Sequence, residues 1–96
     1  MLLALQPNQY LADSKPLMTE QERRERAPSA SFDARINVAY PRLRELGPRL
    51  ARQEQVRWVD LTQIFVEERE ETYSDPCCHL NARGNAIMSD AIGRAL

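Results

Sequence analysis

The sequence predicts an α/β fold in which two short parallel strands are joined by a long helix. Two apolar, β-rich runs, at residues 2–5 and 56–61, flank a stretch that contains a helical apolar repeat. A helix between two strands usually joins parallel strands and packs on one face of their sheet. Two parallel strands bury little surface, and a parallel sheet normally has both faces covered. We therefore expect residues 1–96 to form a single partial domain, the trailing edge of a three-layer α/β domain.

Length and composition indicate an ordinary globular protein. The chain has 96 residues, of which 43% are hydrophobic and 28% are charged, values typical of soluble domains. The formal net charge is -1 and arginines alternate with glutamates, so we expect neither nucleic acid nor an anionic membrane surface as a partner. No run approaches the roughly 20 apolar residues of a membrane span. Residues 1–5 are too short for a signal peptide and are expected to enter the fold at once as a strand.

The first strand is followed by a loop and a short helix. Residues 8–18 mix polar and turn-forming types, and we expect them to form a surface loop. Thr19 and Glu22 match a capping box, which predicts a helix from residue 20 to about residue 26 that ends at Pro28.

A second, amphipathic helix is predicted by apolar residues at three- and four-residue steps. Its stripe comprises Phe32, Ile36, Ala39, Tyr40, Leu43, Leu46 and Leu50. Pro41 predicts a kink in this helix, and Gly47 with Pro48 predicts a break or a restart.

The second strand leads to the C-terminal helix. Residues 62–71 are expected to form one or two helical turns with Ile64 and Phe65 inward, and the charges at 67–71 to face solvent. Asn81 is the expected N-cap of a closing helix that runs to Leu96. The inner side of that helix comprises Ile87, Ala91, Ile92 and Ala95. Trp58 is expected in the core, Tyr73 beside a substrate cleft, and Gly84 at a close helix–sheet contact rather than at an anion site.

The only histidine, His79, lies four residues after Asp75 on a turn that leads into the last helix. A carboxylate beside an imidazole holds the ring in one tautomer and stabilises the imidazolium, as in a Ser-His-Asp relay. Pro76 restricts the turn, and the turn follows a predicted parallel strand, where α/β folds tend to place their sites. We therefore expect the carboxylate to reach one ring nitrogen while the other faces outward. On position alone, a lone histidine at a helix start is more often a surface or capping residue.

No serine is placed as a nucleophile. A nucleophilic serine requires a sharp strand-to-helix turn flanked by glycine, and none of the five serines lies on one; they are Ser14, Ser29, Ser31, Ser74 and Ser89. Ser29 and Ser31 are expected to cap the helix that follows them. Ser74 is too close along the chain to face His79 productively.

Cys77 and Cys78 directly precede His79. Adjacent cysteines form no ordinary disulfide with each other, and the chain has no third cysteine, so the pair does not indicate a redox compartment. Either thiol could pair with a cysteine of another segment or of a partner. Three consecutive residues converge poorly on a tetrahedral metal ion, and relay partners normally come from distant segments. A packed or disulfide-linked cysteine that supports the turn is therefore favoured over a metal ligand or a thiol nucleophile, and no metal or cofactor is predicted.

The segment around His79 resembles the C-terminal signature of the SGNH (GDSL-type) serine hydrolases. It contains an aspartate, a short spacer and then His79-Leu80-Asn81-x-x-Gly84-Asn85 before an apolar helix. The strand that ends in Gln-Pro, the Asn37-x-x-Tyr40 pattern of the long helix and the Val-Asp-Leu-Thr run agree with this resemblance. It implies the C-terminal part of a flavodoxin-like, three-layer α/β/α domain that hydrolyses small carboxylic esters by acyl transfer. His79 would be the general base and Asp75 its orienting acid, with a one-residue bulge because the family's usual spacing is Asp-x-x-His.

Three elements of that family have no match in this chain: the Gly-Asp-Ser turn that bears the nucleophile, the oxyanion-hole glycine and the Gly-x-Asn-Asp stretch. We therefore expect the chain alone to be inactive. The alternative is a small non-catalytic α/β module that associates with a partner through an exposed sheet edge. In that alternative, Asp75 and His79 only brace the last turn.

Overall fold

A computed structural model describes residues 1–26 and 30–96, and at residues 30 and 31 it describes the backbone alone. The elements are β1 (Leu2–Leu5), α1 (Glu20–Arg26), α2 (Ala30–Gln53), β2 (Arg57–Asp60) and α3 (Ala82–Ala95). Strands β1 and β2 pair in parallel, with Leu3 opposite Trp58 and Leu5 opposite Asp60. The mixed α/β class, the two strands and their parallel pairing are therefore as the sequence predicts.

Helix α2 packs against both strands and covers one face of the sheet. The core between them is a cluster of Leu5, Leu11 and Tyr40, against which Ile36 and Trp58 are partly buried. A Cβ atom at residue 47 of α2 would lie 2.2 Å from the Trp58 ring. Only a glycine permits this close approach of the helix to the sheet.

The predicted break near Gly47 is wrong, because α2 runs without interruption through Pro41 and Pro48. Glycine inside a helix costs about 1 kcal/mol relative to alanine. At residue 47 the close packing of Trp58 offsets that cost. The local sequence favours a helix end at this position, but the tertiary contact with Trp58 keeps the helix continuous.

The loop between β1 and α1 is largely buried, and the predicted surface loop at residues 8–18 is therefore wrong. Its buried residues are Asn8, Gln9, Tyr10, Leu11, Ser14, Lys15 and Met18. The Asn37 side chain of α2 donates to the Tyr10 carbonyl at 2.8 Å and accepts the Ala12 N–H at 2.9 Å. The Ser14 hydroxyl donates to the Thr62 carbonyl at 2.7 Å. Polar loop residues can be buried here because most of their polar groups find partners on other segments; Gln9 Oε1 is buried without one among the described residues.

Helix α1 begins with the predicted capping box. The Glu22 N–H donates to Thr19 Oγ1 at 3.1 Å, and the Thr19 N–H donates to Glu22 Oε1 at 3.0 Å. Lys15 Nζ lies 2.6 Å from the same Glu22 carboxylate, and both side chains are almost completely buried. The predicted end at Pro28, the predicted cap at Ser29 and the side chain of Ser31 lie outside the described residues.

The buried Lys15–Glu22 pair ties α1 to the segment before the last helix. Lys15 Nζ donates to the Glu70 carbonyl at 2.5 Å, and the Thr72 N–H donates to Glu22 Oε2 at 3.0 Å. Burial alone would raise the pKa of Glu22, but the hydrogen bonds from Lys15 and from the amides of Thr72 and Thr19 outweigh it and lower that pKa. This carboxylate therefore stays ionised inside the fold.

The segment after β2 forms turns rather than the predicted helical turns. Its amides at Ile64 and Val66 bond to carbonyls three residues earlier, at 3.3 and 3.2 Å. Phe65 is fully buried, as predicted, and packs edge-on against Tyr73 with ring centroids 5.8 Å apart. Tyr73 is itself buried, so its predicted place beside an open cleft is wrong.

Helix α3 begins at the predicted cap, because the Gly84 N–H donates to Asn81 Oδ1 at 2.9 Å. A Cβ atom at residue 84 would lie 2.4 Å from the Thr72 carbonyl, which supports the packing interpretation of this glycine. The predicted inner residues Ile87, Ala91, Ile92 and Ala95 are all half-buried. Within residues 1–26 and 30–96, no helix has the length and apolar character that crossing a membrane requires.

Candidate functional site

Asp75 and His79 lie on a closed turn between the buried Thr72–Tyr73 segment and α3. Tyr73 and Leu80 form an antiparallel bridge across the base of the turn. The Ser74 N–H donates to the His79 carbonyl at 2.9 Å. The bridge brings the two ends of the turn together and sets its orientation relative to α3.

The Asp75 carboxylate is held by the turn that follows it. Its Oδ1 accepts the N–H groups of Cys77, Cys78 and His79 at 2.9, 3.1 and 3.3 Å. Its Oδ2 is hydrogen-bonded to His79 Nδ1. The hydrogen bond to the His79 ring and the hydrogen bond from the Cys77 backbone N–H lower the pKa of Asp75 to about 2. The structure thus brings the two sequence-predicted site residues together across a spacer of three residues.

The His79 ring presents its second nitrogen to solvent. The side chain is 76% exposed, and its Nδ1 faces Asp75. Among the described residues, Asp75 is the only hydrogen-bond partner of the ring. When Nδ1–H donates to the carboxylate, the neutral ring carries its lone pair on Nε2, which is the form that a general base requires.

Two residues of the loop after β1 hold the backbone of the turn. The Gln9 Nε2 amide donates to the carbonyls of Asp75 and Cys77 at 3.0 and 2.5 Å. The Tyr10 hydroxyl donates to the Pro76 carbonyl. Three consecutive carbonyls are therefore fixed by one segment. Gln9 and Tyr10 are not among the predicted site residues, because nothing in their local pattern distinguishes them from residues of an exposed loop.

Gln9 and Tyr10 are in turn positioned by the helices. Arg26 of α1 donates to the Gln9 carbonyl at 3.1 Å, and its guanidinium lies 5.6 Å from the centre of the Tyr10 ring. Asn37 of α2 donates to the Tyr10 carbonyl, and the Tyr40 hydroxyl donates to the Gln6 carbonyl at 3.1 Å. The Asn37 and Tyr40 pattern noted in the sequence thus anchors the loop that anchors the turn.

A small cavity of about 190 Å³ opens beside the imidazole. Its walls come from Gln6 and Pro7 after β1, from His79 and Leu80 of the turn, and from Met88 of α3. Gln6 and Pro7 directly follow β1, so the cavity lies beyond the carboxyl end of a parallel strand. α/β folds commonly bind ligands at this edge of the sheet.

None of the described serine hydroxyls bonds to the His79 ring. The Ser74 hydroxyl donates to the backbone carbonyl of His79 at 3.2 Å, and the Ser14 hydroxyl is buried against Thr62. The Cys78 thiol also lines the cavity. Its hydrogen bond with the Cys77 thiol, together with burial, raises the pKa of Cys78 to about 11. Cys78 is therefore mostly protonated at neutral pH and is a poor nucleophile.

Comparisons with known proteins give no match: no family model, no curated protein and no solved structure is significantly similar to this chain. Its function is therefore inferred from the geometry of the Asp75–His79 turn and from the resemblance of its sequence pattern.

Proposed function

We propose that this chain supplies the general base and its orienting acid in an SGNH-type serine hydrolase that cleaves carboxylic esters. The observation that carries the proposal is the hydrogen bond between His79 Nδ1 and Asp75, formed by a ring that is otherwise open to solvent. In such a pair, Nε2 takes the proton of a serine hydroxyl as the hydroxyl attacks the ester carbonyl. The imidazolium then returns that proton to the leaving alcohol, and water releases the acyl-enzyme.

The rigid support of Asp75 favours this role over a capping role. Its carboxylate accepts three amide hydrogen bonds, and its carbonyl accepts one from the buried Gln9. A residue that only braced a surface turn would not require a carbonyl anchor from a segment distant along the chain. Preorganised groups of this kind lower the cost of reaching the reactive geometry.

The nucleophile is assigned to a polypeptide segment outside residues 1–96. The same segment would supply the oxyanion donors, each of which is worth orders of magnitude in rate. Removing the nucleophile from such a relay abolishes nearly all of its catalysis. The chain alone should therefore bind a small ester weakly in the cavity beside His79 and should not hydrolyse it.

The test compares the chain with the product of the reading frame extended upstream of Met1. We expect the extended product to contain a strand that ends in Gly-Asp-Ser, to hydrolyse p-nitrophenyl acetate and to react with a fluorophosphonate. Its His79→Ala variant should lose both reactions, and Asp75→Asn should lower kcat by about 100-fold or more. Ser89→Ala, on α3, is the matched control.

Two outcomes would contradict the proposal. One is an upstream region that encodes no such strand. The other is turnover by the chain alone that disappears in its His79→Ala variant, because that result would place the nucleophile within these residues.

A second candidate function, a non-catalytic binding module, is favoured by a larger apolar cavity whose walls come from β1, β2 and α2. This cavity has a volume of about 560 Å³. Its apolar walls comprise Leu3, Leu5, Leu43, Leu46, Leu50 and Trp58. Leu43, Leu46 and Leu50 of α2 remain 44–49% exposed although they belong to the predicted inner stripe.

The occupant that this surface fits is β1 of a second copy of the chain. In the described part of the molecule, β1 pairs with β2 alone, so its other edge has unpaired backbone groups. The strand itself reads Leu-Leu-Ala-Leu, an extended apolar segment with the side chains that the cavity requires. On this view Asp75 and His79 contribute only to the structure of the last turn.

Sedimentation of the purified chain tests this second candidate. Self-association should lead to a concentration-dependent dimer that Leu46→Asp abolishes. Val38→Asp, also on α2 but outside the cavity walls, should leave the dimer intact. A chain that stays monomeric at high concentration would exclude this module and would not affect the hydrolase proposal.

A further inference from the structure

The turn that holds Asp75 also carries two adjacent free thiols. Cys77 is exposed and Cys78 is half-buried. The general-base role of His79 uses neither thiol, so their placement requires a separate explanation.

Both polar groups of the peptide between these cysteines are hydrogen-bonded. The Cys77 carbonyl accepts the Gln9 side-chain amide at 2.5 Å. The Cys78 N–H donates to Asp75 Oδ1 at 3.1 Å. One side of this peptide is thus fixed by a buried residue, and the other side is fixed by the carboxylate that faces His79.

A disulfide between adjacent cysteines cannot form without distorting this peptide. Neighbouring Cα atoms lie about 3.8 Å apart across a trans peptide, whereas unstrained disulfides join Cα atoms about 4.4–6.8 Å apart. Closing the small ring must therefore twist the peptide and bend its bond angles. Two hydrogen bonds depend on the undistorted orientation of this peptide. One joins the Cys77 carbonyl to Gln9, and the other joins the Cys78 N–H to Asp75.

We propose that Cys77 and Cys78 form a reversible vicinal disulfide whose closure removes the Cys78 amide donor from Asp75 and loosens the hydrogen bond of Asp75 to His79. The inference depends only on the geometry of the turn and holds whether or not the chain belongs to a hydrolase. The turn is thus a site of thiol modification, at which a small-molecule disulfide oxidises Cys77 and Cys78.

The chemistry is two successive thiol–disulfide exchanges. The exposed Cys77 thiolate attacks one sulfur of the oxidant, the oxidant's S–S bond breaks, and one small thiolate leaves and takes up a proton. Cys78 then loses its proton and attacks the Cys77 sulfur of the mixed disulfide, which expels the second small thiol. The protein loses two electrons and two protons, and the oxidant is reduced to two thiols.

Strain makes this disulfide easy to reduce again. Distorted disulfides have higher reduction potentials than structural ones and belong to the labile, regulatory class. The hydrogen bonds to Gln9 and Asp75 add to this effect, because they stabilise the undistorted, reduced turn. We therefore expect oxidation only in an oxidising thiol buffer and rapid reversal by a dithiol.

The experiment equilibrates the full chain with mixtures of oxidised and reduced glutathione. Mass spectrometry of the peptide that contains both cysteines should show the loss of two hydrogens, reversed by dithiothreitol. In the same samples, the carbon-13 signal of the Asp75 carboxyl should report its titration. The reduced chain should show the pKa of about 2 for Asp75, and the oxidised chain should show a higher pKa for Asp75, closer to the ordinary value of about 3.9.

Two variants make the test specific. The double variant Cys77→Ser and Cys78→Ser should keep the low Asp75 pKa in every buffer. Gln9→Ala should raise the equilibrium constant for ring closure about fivefold, because the reduced turn then lacks the hydrogen bond to the Cys77 carbonyl that ring closure would otherwise break. Gln53→Ala, an exposed glutamine of α2, should leave that constant unchanged, and circular dichroism should verify that each variant is folded.

Three results would overturn the proposal. Oxidation could stop at mixed disulfides or produce only intermolecular dimers. The ring could form while the titration of Asp75 stays unchanged, which would show that closure leaves the carboxylate in place. The ring could also form equally readily in the Gln9→Ala variant and in the unmodified chain, which would show that Gln9 does not stabilise the reduced turn.

Discussion

The turn that bears Asp75 and the helical face that bears Leu46 belong to the same small fold, but the turn is hydrogen-bonded to a buried segment, whereas the helical face borders an open cavity. Beneath the turn, Gln9 and Tyr10 are buried and hydrogen-bonded to its carbonyls. On α2, the apolar side chains around Leu46 remain nearly half exposed beside a cavity of about 560 Å³. The backbone of the turn is thus held by partners within the described residues, whereas the apolar face of α2 is open to a further segment.

The turn and the apolar face of α2 therefore differ in how far the described residues support each of them. The Asp75 carboxylate and the carbonyls of Asp75, Pro76 and Cys77 find their partners within the described residues. Among the same residues, Gln9 Oε1 and the Tyr73 hydroxyl are buried beside them without a hydrogen-bond partner. Exposed apolar surface next to an unpaired strand edge usually marks an interface. The hydrolase proposal concerns the turn, and the binding-module proposal concerns the apolar face of α2. Substitutions can therefore perturb either region without the other.

The largest expected difference is between the losses of unfolding free energy caused by Phe65→Ala and by Leu46→Ala. Phe65 is fully buried and packs against Tyr73, so its truncation should lower the free energy of unfolding by about 4 kcal/mol. Leu46 is 45% exposed, and its truncation should cost less than about 1 kcal/mol in the monomer. Urea denaturation at low protein concentration measures both values. Equal losses would show that the face of α2 is covered in solution.

The next effect concerns the buried Lys15–Glu22 ion pair, which is hydrogen-bonded to the segment that precedes the turn. Glu22→Gln removes the charge that faces the buried Lys15, and leaving such a cation without its partner should cost about 3 kcal/mol of unfolding free energy. The exposed Glu20–Arg24 pair of the same helix is the matched control. Glu20→Gln should change stability by less than about 0.5 kcal/mol. Similar losses in the two variants would contradict a special role for the buried pair.

The smallest effect is a pH dependence from Asp75. Its folded-state pKa is lowered to about 2, whereas an aspartate of an unfolded chain titrates near about 3.9. Unfolding therefore takes up protons at low pH, and the stability that Asp75 contributes is present above about pH 4 and is lost as the pH falls towards about 2.

Stability curves of the unmodified chain and of Asp75→Asn test this dependence. Their difference should be constant above about pH 5 and should shrink as the pH falls below about 4. Asp90→Asn, an exposed aspartate of α3, controls for the loss of one negative charge. A difference that does not change with pH would show that the carboxylate is not held by the turn.

Sequence patterns anticipate the elements whose signals are local. The strand at residues 2–5, the capping box at Thr19 and Glu22 and the N-cap at Asn81 each depend on residues within a few positions of one another. The approach of Asp75 to His79 is also local, because only three residues of the turn separate them. The two caps and the Asp75–His79 contact follow from short-range hydrogen bonding, and the strand is indicated by its local apolar run.

The support of the site could not be predicted in the same way. Gln9 contacts the Asp75 turn across a separation of 66 residues, and no pattern around residue 9 indicates that partner. The continuity of α2 at Gly47 likewise depends on the Trp58 ring of a distant strand. Both outcomes are set by tertiary packing, which overrides local propensity.

The central claim is that Asp75 holds His79 in the form that a general base requires. Nitrogen-15 spectra of the imidazole at a pH where the ring is neutral test it most directly, because they distinguish a protonated from an unprotonated ring nitrogen. We predict that the proton resides on Nδ1 and that Nε2 is unprotonated, and that Asp75→Ala shifts the proton towards Nε2, which free imidazole side chains favour. A ring of the unmodified chain that carries its proton on Nε2 would contradict the claim.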